Sequence, residues 1–572
     1  MKPCIRFMVL IFILSAITAN LFSSEILLSR DIKRGMKGYG YTVFQGWDSE
    51  RFEVEIIDVM RNAFAGNDLI LARLSGNILE KSGVIAGMSG SPVYIDGKLI
   101  GAVAYTWSFQ KEPICGITPI KMMLNERKNA DPPLFGDNDN VKRIAMPVTL
   151  HGFHPEAREF LNEKFADTGF SFADSVGGAS LELPADPAFK AGDAVSVNLV
   201  DGDLSISVIG SVSFVSNNDM LIFGHPFDLA GNISLPVSKA YIYTVIPTST
   251  ISFKMGAGSK PSGATVFDGR SGVYVRLDKT ASMIPFNVNI KTHSGNHRYS
   301  FRVTPEKNYL SSLASSALVS SVANHLGYFD DKTVTMRFSI DIQYNGKIHK
   351  VTNEIVYSQL LSLYNIRMMI MDLYGYFGLL QQNALTDINI TKVDVDVIIE
   401  RGVNYYVVEN AITDKTFYSP GETMKINVIL WQYKGTYITR RMEVDVPQNL
   451  SPGKYFVYIG SEPAVNSRIR GLYPHYYTIE TFADLIDTAN RREYRNKLLA
   501  VFLHTESGFV MGKNKLFGMP EYYMNMFNVQ TASGKPLLFP RRVENFVFMD
   551  SPVFGTFDFR VDIDGSNTRG GE

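Results

Sequence analysis

The sequence predicts a mainly β protein whose second half contains an α+β region and a C-terminal β-sandwich-like domain. Aromatic residues are abundant, with 37 Phe and 28 Tyr among 572 residues, and short β-branched runs recur along the chain. Both features are typical of strands. An Asp96-Gly97 pair flanked by alternating apolar runs is a clear hairpin signal. The length corresponds to about three or four domains, and the net charge of −1 gives nucleic-acid binding no electrostatic support.

The N-terminus, residues 1–24, has the form of a secretory signal peptide. A basic start precedes an apolar stretch at 7–22 and two serines. A retained membrane anchor is the alternative, because no clean Ala-x-Ala site follows the apolar stretch. We therefore expect an exported protein of the periplasm or cell envelope of a bacterium, with no transmembrane span after signal removal. Removal leaves Cys115 as the single cysteine, so no internal disulfide is expected.

Strand patterns fill the first unit, residues 25–128. They predict single strands at 40–44, 52–59 and 68–74 and one hairpin at 92–104. A short helix ending near Arg127 follows them. A charged, proline-containing linker at 129–139 then separates this unit from the next.

The second unit, residues 140–300, begins with a predicted strand at 141–150 and a helix at 155–165. From Ala194 onward it is strand-rich, and one hairpin ends at Gly224-His225-Pro226.

The rest of the chain divides into three regions. Residues 301–400 form the α+β region, with a strand pair between helices predicted at 310–326 and 355–381. Residues 401–465 contain short strands separated by Ser-Pro-Gly turns, the pattern of a β-sandwich-like domain. Residues 466–572 form a mixed C-terminal region that is predicted to be mostly helical at 479–504.

The motif with the clearest chemistry is Gly87-Met88-Ser89-Gly90-Ser91-Pro92. It has the Gly-x-Ser-Gly-x-Pro form that surrounds the nucleophilic serine of chymotrypsin-like proteases. A glycine two residues before the serine lets the chain turn, so that the N–H groups of Gly87 and Ser89 can form an oxyanion hole. Ser89 occupies the place of the nucleophile, and Ser91 is second to it. A glycine-serine loop before an ordinary hairpin is the alternative interpretation.

Residues 34–124 resemble the peptidase S55 family as a block. The resemblance rests on residues 83–93 and 96–103 and on the stretch 34–40, in which Met36 and Gly40 are the fixed points. It implies a chymotrypsin-like double β-barrel with Ser89 as the nucleophile. It also implies a base histidine within a Gly-His-Pro sequence, which here is His225. The resemblance extends over about half of the chain, residues 34–290.

The chain departs from the family pattern in two places. No histidine precedes Ser89, so the base has to come from downstream, as if the two half-barrels had exchanged order. Catalytic triads do occur in several chain orders. The family's aspartate aligns with Ser75, so the orienting carboxylate is missing from its expected place. Asp68 and Asp228 rank equally as replacements, and a Ser89–His225 dyad assisted by Ser75 is the alternative.

Other polar residues are assigned to structure. His151 and His154 form the runner-up histidine pair, for which a role at the start of a helix is preferred, since no cysteine or carboxylate cluster accompanies them as further metal ligands. Asp96 and Asp219 are interpreted as turn residues. Residues 102–106 are expected to edge an apolar specificity pocket. We expect no metal and no other cofactor.

Together these observations predict an exported serine endopeptidase that cleaves a protein or peptide substrate through a Ser-His acyl-enzyme mechanism. The second hypothesis is a catalytically silent S55-like protein that binds peptides or supports envelope assembly, and the missing aspartate favours it. A surface adhesin is a third hypothesis that rests only on the C-terminal sandwich.

Overall fold

A computed structural model describes residues 26–64, 67–107, 110–125, 142–172, 188–326, 332–358, 363–473, 479–490, 494–511, 514–517, 522 and 534–564. The predicted signal peptide and the linker at 129–139 lie outside these residues. The described chain is mainly β, as the sequence predicts.

The first sheet closes into a six-stranded barrel. Its order is β4-β1-β2-β3-β6-β5, and pairing of β4 with β5 closes the ring, while β7 adds to β5. Two short helices, α1 and α2, follow β3 and β6. The bounds are β1 (Lys37–Thr42), β2 (Glu50–Phe64), β3 (Asn67–Ser75), α1 (Leu79–Ser82), β4 (Pro92–Ile95), β5 (Lys98–Thr106), β6 (Ile114–Pro119), α2 (Ile120–Asn125) and β7 (Lys142–Arg143), preceded by a 3₁₀ turn at Ser29–Asp31.

Two local signals explain why this segment folds into a small barrel. The β4–β5 hairpin turns at Asp96 and Gly97, whose φ values are +48° and +76°, so the Asp-Gly prediction is confirmed. Gly40 lies under the ring of Phe52, where an added Cβ would stand 2.2 Å from Phe52 Cζ. Only glycine therefore lets β1 and β2 pack at this point.

A second ring of six strands forms the other barrel. β10, β13, β15, β16, β12 and β11 pair in this order, and β11 pairs back with β10. β8 and β9 extend the sheet from β11, and β14 pairs with β13. The bounds are β8 (Met146–His151), α3 (Pro155–Lys164), β9 (Phe170–Ser171), β10 (Ala194–Gly202), β11 (Ser205–Ser216), β12 (Asp219–Ile222), β13 (Pro236–Ile246), β14 (Phe253–Gly258), β15 (Gly263–Gly269) and β16 (Gly272–Arg276).

The same sheet continues beyond the second barrel. β18 pairs with β10, and β17, β21, β19 and β20 follow in that order, with β17 and β21 parallel. Helices α4 and α5 pack against each other. The bounds are β17 (Ile284–Thr292), β18 (Gly295–Val303), α4 (Lys307–Ala323), β19 (Lys332–Tyr344), β20 (Lys347–Ser358), α5 (Leu363–Gln381) and β21 (Asn389–Arg401).

The C-terminal part is built from two further sheets that share one core. One sheet has the order β25-β24-β22-β30, and the other has the order β23-β31-β26-β27-β28 with β29 on β27. Buried side chains of both sheets, among them Val428 and Phe502, belong to a single cluster, so the predicted boundary at residue 465 falls inside this unit. The bounds are β22 (Tyr406–Thr413), β23 (Phe417–Tyr418), β24 (Thr423–Gln432), β25 (Tyr437–Asp445), β26 (Gly453–Ser461), α6 (Glu462–Leu472), α7 (Phe482–Asn490), β27 (Lys497–Met511), β28 (Asn514–Phe517), β29 (Gly534–Phe548), β30 (Val553–Phe554) and β31 (Thr556–Ile563).

Two predicted helical stretches are wrong. Residues 355–358 end β20 and pair with β19, so α5 begins later than predicted. Residues 497–504 begin β27, which pairs with β26 and β29. Residues 498–502 are fully buried on both faces of the sheet, so this strand lacks the alternation that distinguishes a half-buried strand from a helix. Among the helices described, none has the length and apolar character needed to cross a bilayer.

The two barrels are joined by backbone bridges. Gly46 and Ile242 exchange N–H···O bonds of 2.7 and 3.0 Å, and the rings of Trp47 and Tyr241 lie 5.1 Å apart. A small cluster of buried apolar residues, including Val43 and Ile242, contains side chains from both barrels. The loop at residues 82–91 lies along this same interface, where the Ala86 N–H donates to the Ser252 carbonyl.

Candidate active site

The serine loop, residues 86–91, turns at two glycines. Gly87 and Gly90 have φ values of +92° and +96°, a backbone conformation that residues other than glycine rarely adopt. An added Cβ on Gly90 would stand 2.1 Å from the carbonyl oxygen of Ser211. The loop is therefore in direct backbone contact with β11 of the second barrel.

Four consecutive carbonyls of the loop accept hydrogen bonds. The Ala86 carbonyl accepts from the Lys254 N–H at 3.1 Å, and the Met88 carbonyl accepts from the Ser91 N–H at 2.9 Å. Between them, the Gly87 carbonyl accepts from Ser211 Oγ at 3.0 Å. The Ser89 carbonyl accepts from the Ser211 N–H at 2.8 Å.

This bonding fixes the direction of two N–H groups. In a trans peptide the N–H points away from the carbonyl. Because the Ala86 and Met88 carbonyls are held, the N–H groups of Gly87 and Ser89 each point away from the group that binds the preceding carbonyl. No acceptor for either N–H lies within the described part of the chain. Uncommitted N–H groups at the serine and at the glycine two residues before it are the donors that an oxyanion hole needs.

The structure brings the Gly-His-Pro segment next to Ser89. The Gly224 N–H donates to Ser89 Oγ at 3.4 Å, and Gly224 directly precedes His225. The Gly224 carbonyl accepts from Thr118 Oγ1 at 2.5 Å, which ties the segment to β6 of the first barrel. Ser89 and His225 are both fully buried.

The imidazole of His225 is oriented by a backbone carbonyl. Its Nδ1 lies 2.8 Å from the Pro226 oxygen, so a protonated Nδ1 donates to that carbonyl and leaves Nε2 as the basic nitrogen. Phe223, two residues earlier, has a φ of +55°. A bulky residue in this region is a backbone outlier, and such outliers concentrate at functional sites.

A buried aspartate that the sequence analysis missed supports the segment after His225. Asp268 on β15 accepts from the N–H groups of Phe227, Asp228 and Ala230 at 2.8, 2.7 and 3.0 Å. Burial raises the pKa of Asp268 to about 6, against the effect of these three hydrogen bonds. Its Asp-Gly context is typical of a turn, so no local signal indicated the role.

The two predicted orienting acids are bonded to other groups. The Asp68 carboxylate accepts from Ser29 Oγ at 2.8 Å and from Arg61 Nη1 at 2.7 Å. Burial opposes its charge, but the bonds from Ser29, Asn62 and Arg61 prevail and lower the pKa of Asp68.

Asp228 accepts from the Tyr309 hydroxyl at 2.9 Å. Burial raises the pKa of Asp228, partly offset by that hydrogen bond. Ser75, at the family aspartate position, is exposed at the end of β3.

The remaining sequence candidates have structural partners. His154 is the N-cap of α3, with Nδ1 accepting from the Glu156 N–H at 3.3 Å, and His151 ends β8. Asp219 is exposed at the start of β12, directly after the turn at 217–218, and pairs with Arg276 at 3.2 Å. The β5 residues expected to edge a pocket, 102–106, begin with three buried residues, and an added Cβ on Gly224 would stand 2.8 Å from Ala104 Cβ.

Ser91 belongs to a buried polar cluster behind the loop. Its Oγ donates to Thr42 Oγ1 at 2.9 Å and lies 3.3 Å from Ser211 Oγ. Lys254 completes the group, with Nζ donating to Thr42 Oγ1 at 2.7 Å and to Ser211 Oγ at 3.3 Å. The sequence analysis did not identify Thr42, Ser211 or Lys254, because each lies in an ordinary strand pattern.

Residues 15–124 match the model of the family described as SpoIVB peptidase S55. The family resemblance of the serine segment is thereby confirmed, and the match supports a hydrolase of the serine protease type that acts on protein. His225 and the whole second barrel lie outside the matched residues. No curated protein and no solved structure matches the chain.

Proposed function

We propose that this chain is an exported serine endopeptidase of the S55 type that cleaves a protein substrate in the bacterial envelope. The observation that carries the proposal is the geometry of the serine loop. Gly87 and Ser89 direct uncommitted N–H groups away from held carbonyls, and Ser89 Oγ lies against the Gly-His-Pro segment.

In the proposed mechanism Ser89 Oγ attacks the scissile carbonyl, and its proton passes to Nε2 of His225. The negative charge that develops on the carbonyl oxygen is stabilised by the Gly87 and Ser89 N–H groups. His225 then returns the proton to the leaving amine, which departs and leaves an acyl-enzyme on Ser89. Water, deprotonated by the same imidazole, hydrolyses this ester and restores the serine.

At Nδ1 of the base, this mechanism uses a backbone carbonyl where a full triad has a carboxylate. The Pro226 carbonyl, 2.8 Å from Nδ1, selects the tautomer that leaves Nε2 free of its proton, as the triad aspartate does elsewhere. A neutral carbonyl stabilises an imidazolium less than a carboxylate does, so we expect a slower enzyme than one with a full triad.

Access to Ser89 requires an opening of the protein around it. Ser89 is fully buried, and its Oγ accepts from the Gly224 N–H. A substrate carbonyl can reach Oγ only when the groups around it move, so the reactive form is an opened one. The same burial favours the second candidate, a catalytically silent S55-like protein that binds peptides or supports envelope assembly.

Labelling with a fluorophosphonate distinguishes the two candidates. The purified native protein should react at Ser89, detected by mass spectrometry of the labelled peptide. The variants Ser89→Ala and His225→Ala should lose labelling by about 10³-fold or more, while Ser75→Ala, which removes an exposed serine of the same barrel, should label as the native protein does. Native labelling no greater than that of Ser89→Ala would establish the silent candidate. Unchanged labelling of His225→Ala would show that another group is the base.

A further inference from the structure

A fully buried lysine lies directly behind the serine loop. Lys254, near the start of β14, has no exposed surface. Its Nζ donates to Thr42 Oγ1 and Ser211 Oγ, and no carboxylate within the described ranges forms an ion pair with it. Burial lowers the pKa of Lys254 to about 7. An apolar side chain would fill this space without desolvating an amine, so the contribution of the amine lies in its hydrogen bonds.

The two hydrogen bonds of Nζ lead to the two sides of Ser89. On one side Ser211 Oγ donates to the Gly87 carbonyl at 3.0 Å. On the other side Ser91 Oγ donates to Thr42 Oγ1 at 2.9 Å. The amine donates to both hydroxyls, so it occupies the acceptor side of each. The Ser211 proton is therefore directed to the Gly87 carbonyl.

The rest of Lys254 also contacts the loop. Its backbone N–H holds the Ala86 carbonyl at 3.1 Å. Its Cγ and Cδ lie 3.3 and 3.2 Å from the point where a Cβ on Gly87 would stand. The backbone N–H, the side-chain methylenes and the amine of Lys254 thus hold the peptide on each side of Gly87.

We propose that Lys254 is a positioning residue of the oxyanion site, whose amine holds the serine loop through Ser211 and Thr42. It touches no reacting atom. The groups facing Nζ are the hydroxyls of Thr42 on β1 and Ser211 on β11, with Ser91 of the loop behind them. The inference rests on the proposed function, because it assigns the Gly87 and Ser89 N–H groups to the oxyanion.

The variant Lys254→Met tests the proposal, since it keeps the stem and the backbone bond and removes the donors. Fluorophosphonate inactivation gives a maximal rate constant and a half-saturation concentration separately. Loss of one oxyanion donor costs about 10²-fold or more in rate. A displaced loop should therefore lower the maximal rate constant of inactivation by about tenfold or more. The half-saturation concentration should stay within about twofold of the native value. Hydrogen exchange of amides in residues 86–91 should become faster. Lys98→Met, at an exposed lysine of the neighbouring hairpin, is the matched control and should change neither quantity.

A second variant separates the path from a general loss of packing. Ser211→Ala removes the hydroxyl between Nζ and the Gly87 carbonyl, so the double variant should be no slower than the more affected single variant. The proposal is overturned if Lys254→Met has the inactivation rate and the amide exchange of the native protein. It is also overturned if the effects of Lys254→Met and Ser211→Ala on the inactivation rate are additive. If Lys254→Met does not fold, Ser211→Ala is the test. Amide exchange at residues 86–91 that is unchanged in Ser211→Ala then overturns the proposal. Absence of labelling in the native protein would refute the proposed function, while exchange would still report on the lysine.

Discussion

Gly90 is the position at which the structure makes its sharpest quantitative prediction. In Gly90→Ala the new Cβ would stand 2.1 Å from the Ser211 oxygen, 2.7 Å from the Phe223 nitrogen and 3.0 Å from the Phe223 Cα. All three are backbone atoms, which cannot rotate away. Because the closest ordinary C···O contacts are about 3.3 Å, the loop and β11 must separate by about 1 Å.

The expected loss of stability follows from the bond that this separation breaks. The Ser211 N–H bond to the Ser89 carbonyl, 2.8 Å long, joins the loop to β11, and its loss leaves both groups without a partner. Each buried group left without a partner costs about 1–3 kcal/mol. Backbone strain from a φ of +96° adds about 1–2 kcal/mol for a residue with a Cβ. We therefore expect Gly90→Ala to destabilise the barrel interface by about 3–8 kcal/mol.

Gly97→Ala is the matched control. Gly97 also has a positive φ, +76°, but nothing lies within 4 Å of its added Cβ. Strain alone should cost it about 1 kcal/mol. The difference of at least about 2 kcal/mol corresponds to about 30-fold in local opening.

Hydrogen exchange with peptide-level mass spectrometry measures this difference at residues 86–92 and 209–224, where unfolding of other parts of the chain does not interfere. Fluorophosphonate labelling of the same samples should fall in Gly90→Ala and persist in Gly97→Ala. Equal exchange in the two variants would refute the backbone contact on which the site geometry depends.

Three further outcomes are expected. Cys115 is fully buried and burial raises the pKa of its thiol, so iodoacetamide should modify it only in denaturant, as read from its tryptic peptide. Asp68→Asn and Asp228→Asn should each label within about threefold of the native protein, because both carboxylates bond elsewhere; a loss of about 10⁴-fold in either would identify a triad acid. Asp268, with a pKa raised to about 6, contributes stability that is full below its unfolded pKa of about 4 and lost as the pH rises through 6. Relative to Asp268→Asn, the native free energy of unfolding should therefore fall by about 3 kcal/mol between pH 4 and pH 7, measured by local exchange.

The features that the sequence predicted are those carried by local chemistry. Gly87 indicated the turn before Ser89, and Asp96-Gly97 indicated the hairpin that follows. Each of these conformations depends on the φ value that a single residue type permits. The prediction of a mainly β fold is also confirmed, because aromatic and β-branched side chains pack well on a pleated sheet.

The features that the sequence did not predict depend on distant partners. Ser211 and Lys254 reach the serine loop across more than 100 residues, and nothing in their own strands distinguishes them from neighbouring residues. Asp268 supports the His225 segment from 40 residues downstream. The sequence of 497–504 predicts a helix, but the segment is a strand. It lies between two neighbouring strands and is buried on both faces, so it lacks the alternation of apolar and polar residues that marks a half-buried strand.

The shape of the serine loop is a property of two barrels rather than one. Of its four held carbonyls, three are bonded by the second barrel, through the Lys254 N–H, Ser211 Oγ and the Ser211 N–H. The family match ends at residue 124, so the matched segment contains Ser89 without most of the groups that hold its loop. Docking of the second barrel also places the Gly224 N–H, directly before His225, on Ser89 Oγ. Because both contributions depend on the interface and not on the connection between the barrels, the site geometry is compatible with a serine barrel that precedes the histidine barrel. It follows that a weakened interface should displace the serine loop and the Gly-His-Pro segment together, and that the first barrel alone should restore neither.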